Sequence, residues 1–376
     1  MVVSGCGEES CDTCSLYVHV PFCSSKCPYC HFYSIASAAD SALDAFMEAL
    51  HREWEQKAPQ LSEHKLVSIY FGGGTPTLLG PERIRTLLGW IGTAAEVTIE
   101  ANPENLSENT AEGYLEAGVN RLSVGVQALD DNMLKVLGRL TTSQRIIEAI
   151  ESAATAGFDN ISADLMFDLP GQSLQVWQET LQSLIALPLT HVSLYNLTIE
   201  PGTAFHRRGD AILNSMPGDD ASTMMLHLAD GMLRNGGFRR YEISAWCRNN
   251  LISTHNVGYW TGRPFLGLGP SAFSYWDGRR FKNISNLKEY CNGATVDFEE
   301  KLSDDAHRRE MLAVQLRLIN GVDLDSFQRR YGGLATKTVS TIKRLIDDGL
   351  LTASGAVIAL SLRGRDFYDA VASEVV

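Results

Sequence analysis

Hydrophobic and polar positions alternate in two periods along most of this chain. An apolar, strand-like run covers Tyr17 to Phe22. Leu43, Phe46, Met47, Leu50 and Trp54 then recur at helical spacing, with Asp40 or Ser41 placed to cap that helix. Leu66 to Phe71 alternates as a strand and runs into Gly72-Gly73-Gly74-Thr75-Pro76. The same switch repeats: helix Glu82 to Trp90, strand Glu96 to Ala101, helix Ser107 to Ala117, strand Arg121 to Gln127. Helical patterns follow from Asn132 and from Ser143 to Thr155, then strand Asn160 to Phe167, helix Leu174 to Leu187 and strand His191 to Leu197. Strands alternating with helices at short spacing predict a parallel sheet with right-handed crossovers. Such a chain can wind into an open doubly wound sheet or curl toward a barrel. Gly72 to Thr75, Glu100, Gln127 and Asp164 all fall at or near strand C-terminal ends, where barrel folds gather function. The expectation is an α/β fold, a partial (β/α)6 TIM-like barrel.

The pattern changes after the sixth strand. Met216 to Asn235 reads as a helix with Met224, Met225, Leu228 and Met232 on a core-facing stripe. A mixed region follows, and from Ser303 the chain becomes mainly helical (Asp304 to Leu318, Asp323 to Arg330, Leu334 to Asp348) before a short strand, Val357 to Leu360. Helices followed by a small hairpin predict a winged-helix-like domain. The divisions are 1–15, a loose cysteine-containing segment; 16–215, the barrel; 216–300, an extension of it; and 301–376, the helical domain.

Composition narrows the function. The chain of 376 residues is 44% hydrophobic and 20% charged, ordinary for a soluble globular protein. A net charge of −13 argues against non-specific nucleic-acid binding. Residues 304–366 carry ten basic and eight acidic side chains, a balance that does not favour a DNA-reading winged helix. No apolar run approaches the roughly 20 residues that span a bilayer, and no signal peptide is evident. The expected location is the cytoplasm, with peripheral membrane contact and homodimerisation left open.

Six of the eight cysteines lie in the first thirty residues. In a chain of this kind, metal ligation accounts for them better than disulfides. Cys23, Cys27 and Cys30 have the spacing C-x3-C-x2-C. Three thiolates can hold a four-iron cluster and leave one iron open to a small molecule. Cys6, Cys11 and Cys14 read as incidental thiols on a flexible tail, with a second metal site or redox role as the alternative.

The cysteine spacing, the aromatic Tyr29 before the last cysteine and the Gly72 to Pro76 loop together resemble the radical S-adenosylmethionine (radical SAM) superfamily. Tyr17-Val18-His19-Val20-Pro21-Phe22-Cys23 is similar to the branch holding the oxygen-independent coproporphyrinogen III oxidases (HemN) and the related heme chaperones (HemW). Two features lean toward the chaperones. HemN-type oxidases carry a further cysteine two residues after the third ligand, where this chain has Phe32, and His255-Asn256-Val257-Gly258-Tyr259-Trp260 matches the H-N-x-x-Y-W motif of the chaperones.

The resemblance implies a 4Fe-4S cluster on Cys23, Cys27 and Cys30, with S-adenosylmethionine on its open iron. It implies that Tyr17, Gly73 and Glu100 serve one nucleoside site, and that Tyr29, Gly74, Thr75, Gln127, Arg139 and Asp164 serve a second, overlapping one. Gly73 and Gly74 would let backbone approach the methionine moiety, and Thr75 adds a hydroxyl. It makes His255 a candidate heme-iron ligand, with His19 and Cys247 as rivals and Tyr259 and Trp260 as packing for a porphyrin. The alternative for that motif is that His255 and Asn256 bond to backbone while the aromatics fill the seam between domains. His31 departs from the small or acidic residue expected after the third cysteine. The implied function is heme binding and transfer to an acceptor protein, with an electron donor as second partner. Coproporphyrinogen III oxidation, or radical chemistry on another substrate, are the alternatives.

Overall fold

The computed structural model describes residues 12–376. Cys6, Cys11 and most of the 1–15 segment lie outside the described residues. Cys14 does not belong to a loose tail. The first strand spans Thr13–Val20 and pairs with the strand Lys65–Gly73 from Thr13↔Lys65 onward, so Cys14 is fully buried. Burial pushes its thiol up to about 11. The polar sequence before Leu16 hides this strand because its backbone is held on two sides, by Lys65–Gly73 and by Phe265–Leu268.

Six parallel strands form the predicted barrel wall in chain order: Thr13–Val20, Lys65–Gly73, Glu96–Ala101, Arg121–Gln127, Ile161–Phe167 and His191–Asn196. Away from the strand ends both faces are largely covered, most completely along Ile161–Phe167. The helices between them start on ordinary caps. Ser107, Thr142 and Ser173 each accept the N–H three residues on, satisfying a donor the first turn leaves free.

The sheet continues past both ends of the six. Phe265–Leu268 lies parallel to the first strand and leads into an antiparallel meander of Phe273–Trp276, Arg279–Asn283 and Val296–Lys301. At the other edge Ala245–Cys247 pairs antiparallel with the sixth strand, and Arg239–Glu242 pairs antiparallel with Ala245–Cys247. The result is one twelve-stranded sheet.

The methionine stripe is shifted from its expected face. The helix Asp219–Asn235 buries Met225, Ala229 and Leu233, while Met224 is 55% exposed. Met224 and Met225 differ by about 100° around the axis, so both cannot face the core. The helix instead turns the face bearing Ala229 inward, where a small residue lets it approach the strands.

Beyond residue 301 the helices Asp304–Gln315, Leu324–Tyr331 and Thr336–Asp347 pack with a three-stranded sheet of Val322–Asp323, Leu351–Ser354 and Val357–Leu360. Two more helices, Leu362–Asp366 and Tyr368–Val375, close the chain. This region has its own core, centred on Leu312, Leu316, Phe327, Leu345 and Ile358.

Candidate cofactor site

The first and second strands end side by side, and their two loops are sewn together. Gly74 N–H donates to the Val20 carbonyl at 2.8 Å, and Thr75 N–H donates to the Phe22 carbonyl at 2.6 Å. This contact explains the glycines. A Cβ on Gly74 would stand 2.5 Å from the Phe22 carbonyl oxygen, and one on Gly73 would stand 2.5 Å from the His19 ring. Gly73 also has φ of +113°, which L side chains rarely adopt. The glycines are thus required first by the chain's own packing against the cysteine loop, before any ligand is considered.

The cysteine loop is pinned at its base by Phe22–Cys23 pairing in parallel with Ile35–Ala36. Within it Cys30 N–H donates to the Cys27 carbonyl at 3.1 Å, and Lys26 Nζ donates to the Phe32 carbonyl at 3.2 Å. Thr75 Oγ1 reaches Cys23 Sγ at 3.8 Å. Burial pushes the Cys23 and Cys30 thiols up, so a metal displaces protons when it binds them.

All three cysteines line one cavity of about 570 Å³ at the C-terminal mouth of the barrel. Tyr29, Gly73, Gly74, Thr75, Glu100, Gln127, Arg139 and Asp164 line it as well. Tyr17 and His255 do not. Gln127 enters because a bulge between Gly125 and Gln127 breaks the strand register and leaves Gln127 at φ of +63°, a strained setting for a non-glycine.

Two carboxyls share this interior. Glu100 Oε1 accepts from Tyr70 Oη at 2.9 Å and Oε2 accepts from Gly73 N–H at 3.1 Å. Burial, then the nearby Asp164, pushes its carboxyl up to about 7. Asp164 accepts from Ser123 Oγ at 2.9 Å and is likewise raised by burial. On the opposite wall Arg139 donates to Asn102 Oδ1 at 3.1 Å and to the Gly125 carbonyl at 3.2 Å. Its Nε is buried without a partner.

Among the described residues no three His, Cys, Asp or Glu side chains converge on a single-ion site. A cubane cluster is larger than an ion, so its ligands stand around it rather than meet at a point. Three thiols on one loop in a cavity, a glycine-lined wall and a buried arginine with an orphaned donor suit a cluster and a ligand bearing a carboxylate.

Residues not singled out from sequence also build the site. Asn102 bridges its two walls, donating to Thr75 Oγ1 at 2.9 Å while accepting from Arg139. Tyr70 holds Glu100, and Tyr195 and Ser123 line the cavity. The strand-end run Glu100-Ala101-Asn102-Pro103 was the available signal for Asn102. Tyr70 sits mid-strand and gives none.

Tyr17 lies deeper in the barrel. Its hydroxyl pairs with His19 Nδ1 at 3.1 Å, and its ring centroid is 6.2 Å from that of Tyr70. His19 Nε2 meets the Tyr33 carbonyl at 3.0 Å, so neither of its nitrogens is free.

The expectation that His255 ligates heme iron meets a direct obstacle. His255 is 1% exposed, with Nδ1 at 3.0 Å from Ser68 Oγ and Nε2 at 2.8 Å from Tyr259 Oη. Burial, with Arg263 and Arg121 nearby, pushes the imidazole down to about 3. Its motif forms the helix Thr254–Thr261 at the opposite mouth of the barrel, beside the strand beginnings that carry Ser15, Ser68 and Glu96. Glu96 accepts the Thr254 and His255 N–H groups, each at 2.8 Å, and Arg330 of the helical region donates to the Thr261 and Gly262 carbonyls at 2.9 and 3.0 Å. Both helix ends are therefore matched by opposite charge. Cys247, the other rival, is 1% exposed on a strand paired on both sides, with His191–Asn196 and Arg239–Glu242.

No helix among the described residues is long and apolar enough to cross a membrane.

Comparisons with known proteins agree with this layout. Residues 17–184 match the radical SAM superfamily, and residues 302–367 match the HemN C-terminal domain. The heme chaperone HemW of Bacillus subtilis is 31% identical over 366 residues, covering 93% of this chain and 96% of that protein. A mitochondrial radical S-adenosyl methionine domain-containing protein 1 of Danio rerio is 38% identical over 264 residues, 69% of this chain but only 59% of its own length. The solved structure of coproporphyrinogen III oxidase (HemN) from Escherichia coli superposes with a TM-score of 0.85 at 22% identity, covering 97% of this chain and 90% of that one. At that identity the likeness speaks for the fold. Near-complete coverage in both directions carries the closer assignment: this chain belongs to the HemW family of radical SAM proteins.

Proposed function

We propose that this protein is a heme chaperone of the cytoplasm. It holds a 4Fe-4S cluster on Cys23, Cys27 and Cys30, S-adenosylmethionine beside it, and heme, which it passes to an acceptor protein. The carrying observation is the end-to-end likeness to a heme chaperone, 96% of whose length is matched, in a chain whose cluster loop opens into a cavity. When bound, the cluster supplies an open iron and a route for an electron from a donor protein. The chain's own residues do the rest. Arg139 is placed for the ligand's carboxylate, Glu100 and Asp164 for its amino group or ribose hydroxyls, and Tyr29 for packing an aromatic base. Phe32 occupies the place of the extra cysteine of the oxidases, which favours carriage over decarboxylation.

The test is an anaerobically reconstituted protein given hemin, then mixed with an excess of an apo-hemoprotein. The expected result is a Soret band on mixing with hemin, followed by its replacement by the acceptor's own spectrum. Conversion of coproporphyrinogen III to protoporphyrinogen IX, with no hemin uptake, would overturn this reading in favour of an oxidase.

A further inference from the structure

Heme needs an axial donor, and the buried histidines His19 and His255 have both ring nitrogens engaged. His191 is held by Ser162 and Tyr241, His227 by Asp366, and His307 by Tyr275. Among the described residues one histidine lines the cofactor cavity, and it is His31. It directly follows the third cluster cysteine, is exposed, and stacks on Phe32 with centroids 4.5 Å apart and planes 29° apart. No hydrogen bond among the described residues holds either ring nitrogen.

The surroundings of His31 are those of a flat apolar ligand. Phe32 is 56% exposed and Leu140 is 79% exposed, and Tyr195 is also exposed, yet all three line this same cavity. Large apolar side chains left in solvent around one concave site mark a binding mouth. Lys26 stands on the same loop. Its ammonium gives one hydrogen to the Phe32 carbonyl and has others to offer a carboxylate. An imidazole nitrogen, apolar walls and a cation at one edge match the three chemical parts of heme: iron, macrocycle and propionates.

Resting on the chaperone reading above, we propose that His31 is the axial ligand that captures heme at the outer rim of the cluster cavity. Phe32 and Leu140 lie against the macrocycle and Lys26 pairs with a propionate. The inner part, between Gly73 and Asp164, is left to the cluster and S-adenosylmethionine. Heme held by one imidazole at an exposed rim is also placed to leave, because a recipient's own ligand can approach it from solvent.

The experiment is a hemin titration of the full chain with its cluster reconstituted, comparing wild type, His31→Ala and His31→Gly at matched iron and sulfide content. The expected result is hemin affinity at least tenfold weaker in His31→Ala, with loss of the imidazole-ligated Soret position. Adding free imidazole to His31→Gly should restore that position, which a merely structural role would not produce. His31 is exposed, so neither variant threatens the fold. If His31→Ala binds hemin with unchanged affinity and spectrum while wild type binds, this assignment fails and the chaperone reading stands. If wild type takes up no hemin at all, the chaperone reading fails and this proposal with it.

Discussion

The two mouths of the barrel use the same residue types to opposite ends. Glu96 and Glu100 lie four residues apart on the third strand, so their side chains share one face of the sheet. Glu96, at the strand's beginning, closes the floor by capping the Thr254–Thr261 helix with both carboxylate oxygens. Glu100, near the strand's end, stands in the cavity beside Asp164 with its carboxyl pushed up to about 7. Histidine divides the same way: His255 is locked between Ser68 and Tyr259, and His31 sits unheld at the opposite rim. At the floor Glu96 and His255 have every side-chain polar atom engaged, whereas the open mouth keeps an orphaned Arg139 donor, a strained Gln127 and exposed apolar side chains. A polar residue's partners, more than its identity, tell whether it builds the fold or waits for a ligand.

The sharpest test of this contrast removes one group from each mouth. Cys27→Ala should abolish the cluster, with bound iron and sulfide falling to near zero after reconstitution. Its unfolding midpoint in urea should shift little, because Cys27 is only part-buried and carries no packing role in the core. His255→Ala should do the reverse. Removing a buried ring and leaving the Tyr259 hydroxyl without His255, while Ser68 keeps Ser15, should cost about 3 kcal/mol of stability, read as a lower urea midpoint at unchanged slope. Iron and sulfide content and the hemin Soret position should stay as in wild type. A stable His255→Ala protein that has lost its Soret band would return the axial ligand to the floor and break the comparison.

Much of the open mouth was legible because its residues sit at strand ends in short motifs. C-x3-C-x2-C and the Gly72 to Pro76 loop are local patterns, and the alternation of strand and helix placed them together. The floor was not legible, for a physical reason. His255, Ser68, Tyr259 and Glu96 come from three distant segments, and only folding brings them within hydrogen-bond reach. A histidine followed by aromatics therefore looks the same in sequence whether it holds iron or plugs a barrel. Cys14 was missed for a related reason: the strand that buries it is set by pairing with Lys65–Gly73, not by its own apolar pattern. The individual strands within the 216–300 extension were not legible, because Phe265–Leu268 joins the first strand from some 250 residues away.

Glu100 gives the subtlest measure of the difference between the mouths. A buried carboxyl raised from 4.5 to about 7 binds a proton in the folded state that the unfolded chain has already lost. Between those two values the folded state binds more protons, so stability must fall as pH rises through this window and level off above pH 7. In protein free of cluster and ligand the loss approaches roughly 3 kcal/mol at most. Glu100→Gln removes the ionising group while keeping a partner for Tyr70. The decline between pH 4.5 and 7 should shrink, and the variant should be more stable than wild type at pH 8 in urea unfolding. The gain would come at the ligand's expense. If the ionised carboxylate is what meets the amino group or ribose of S-adenosylmethionine, wild-type affinity should rise from pH 6 to pH 8 while that of Glu100→Gln stays weak and flat. A stability profile unchanged by the substitution would mean that Glu100 is as well satisfied as Glu96, and the two ends of the strand would no longer differ in kind.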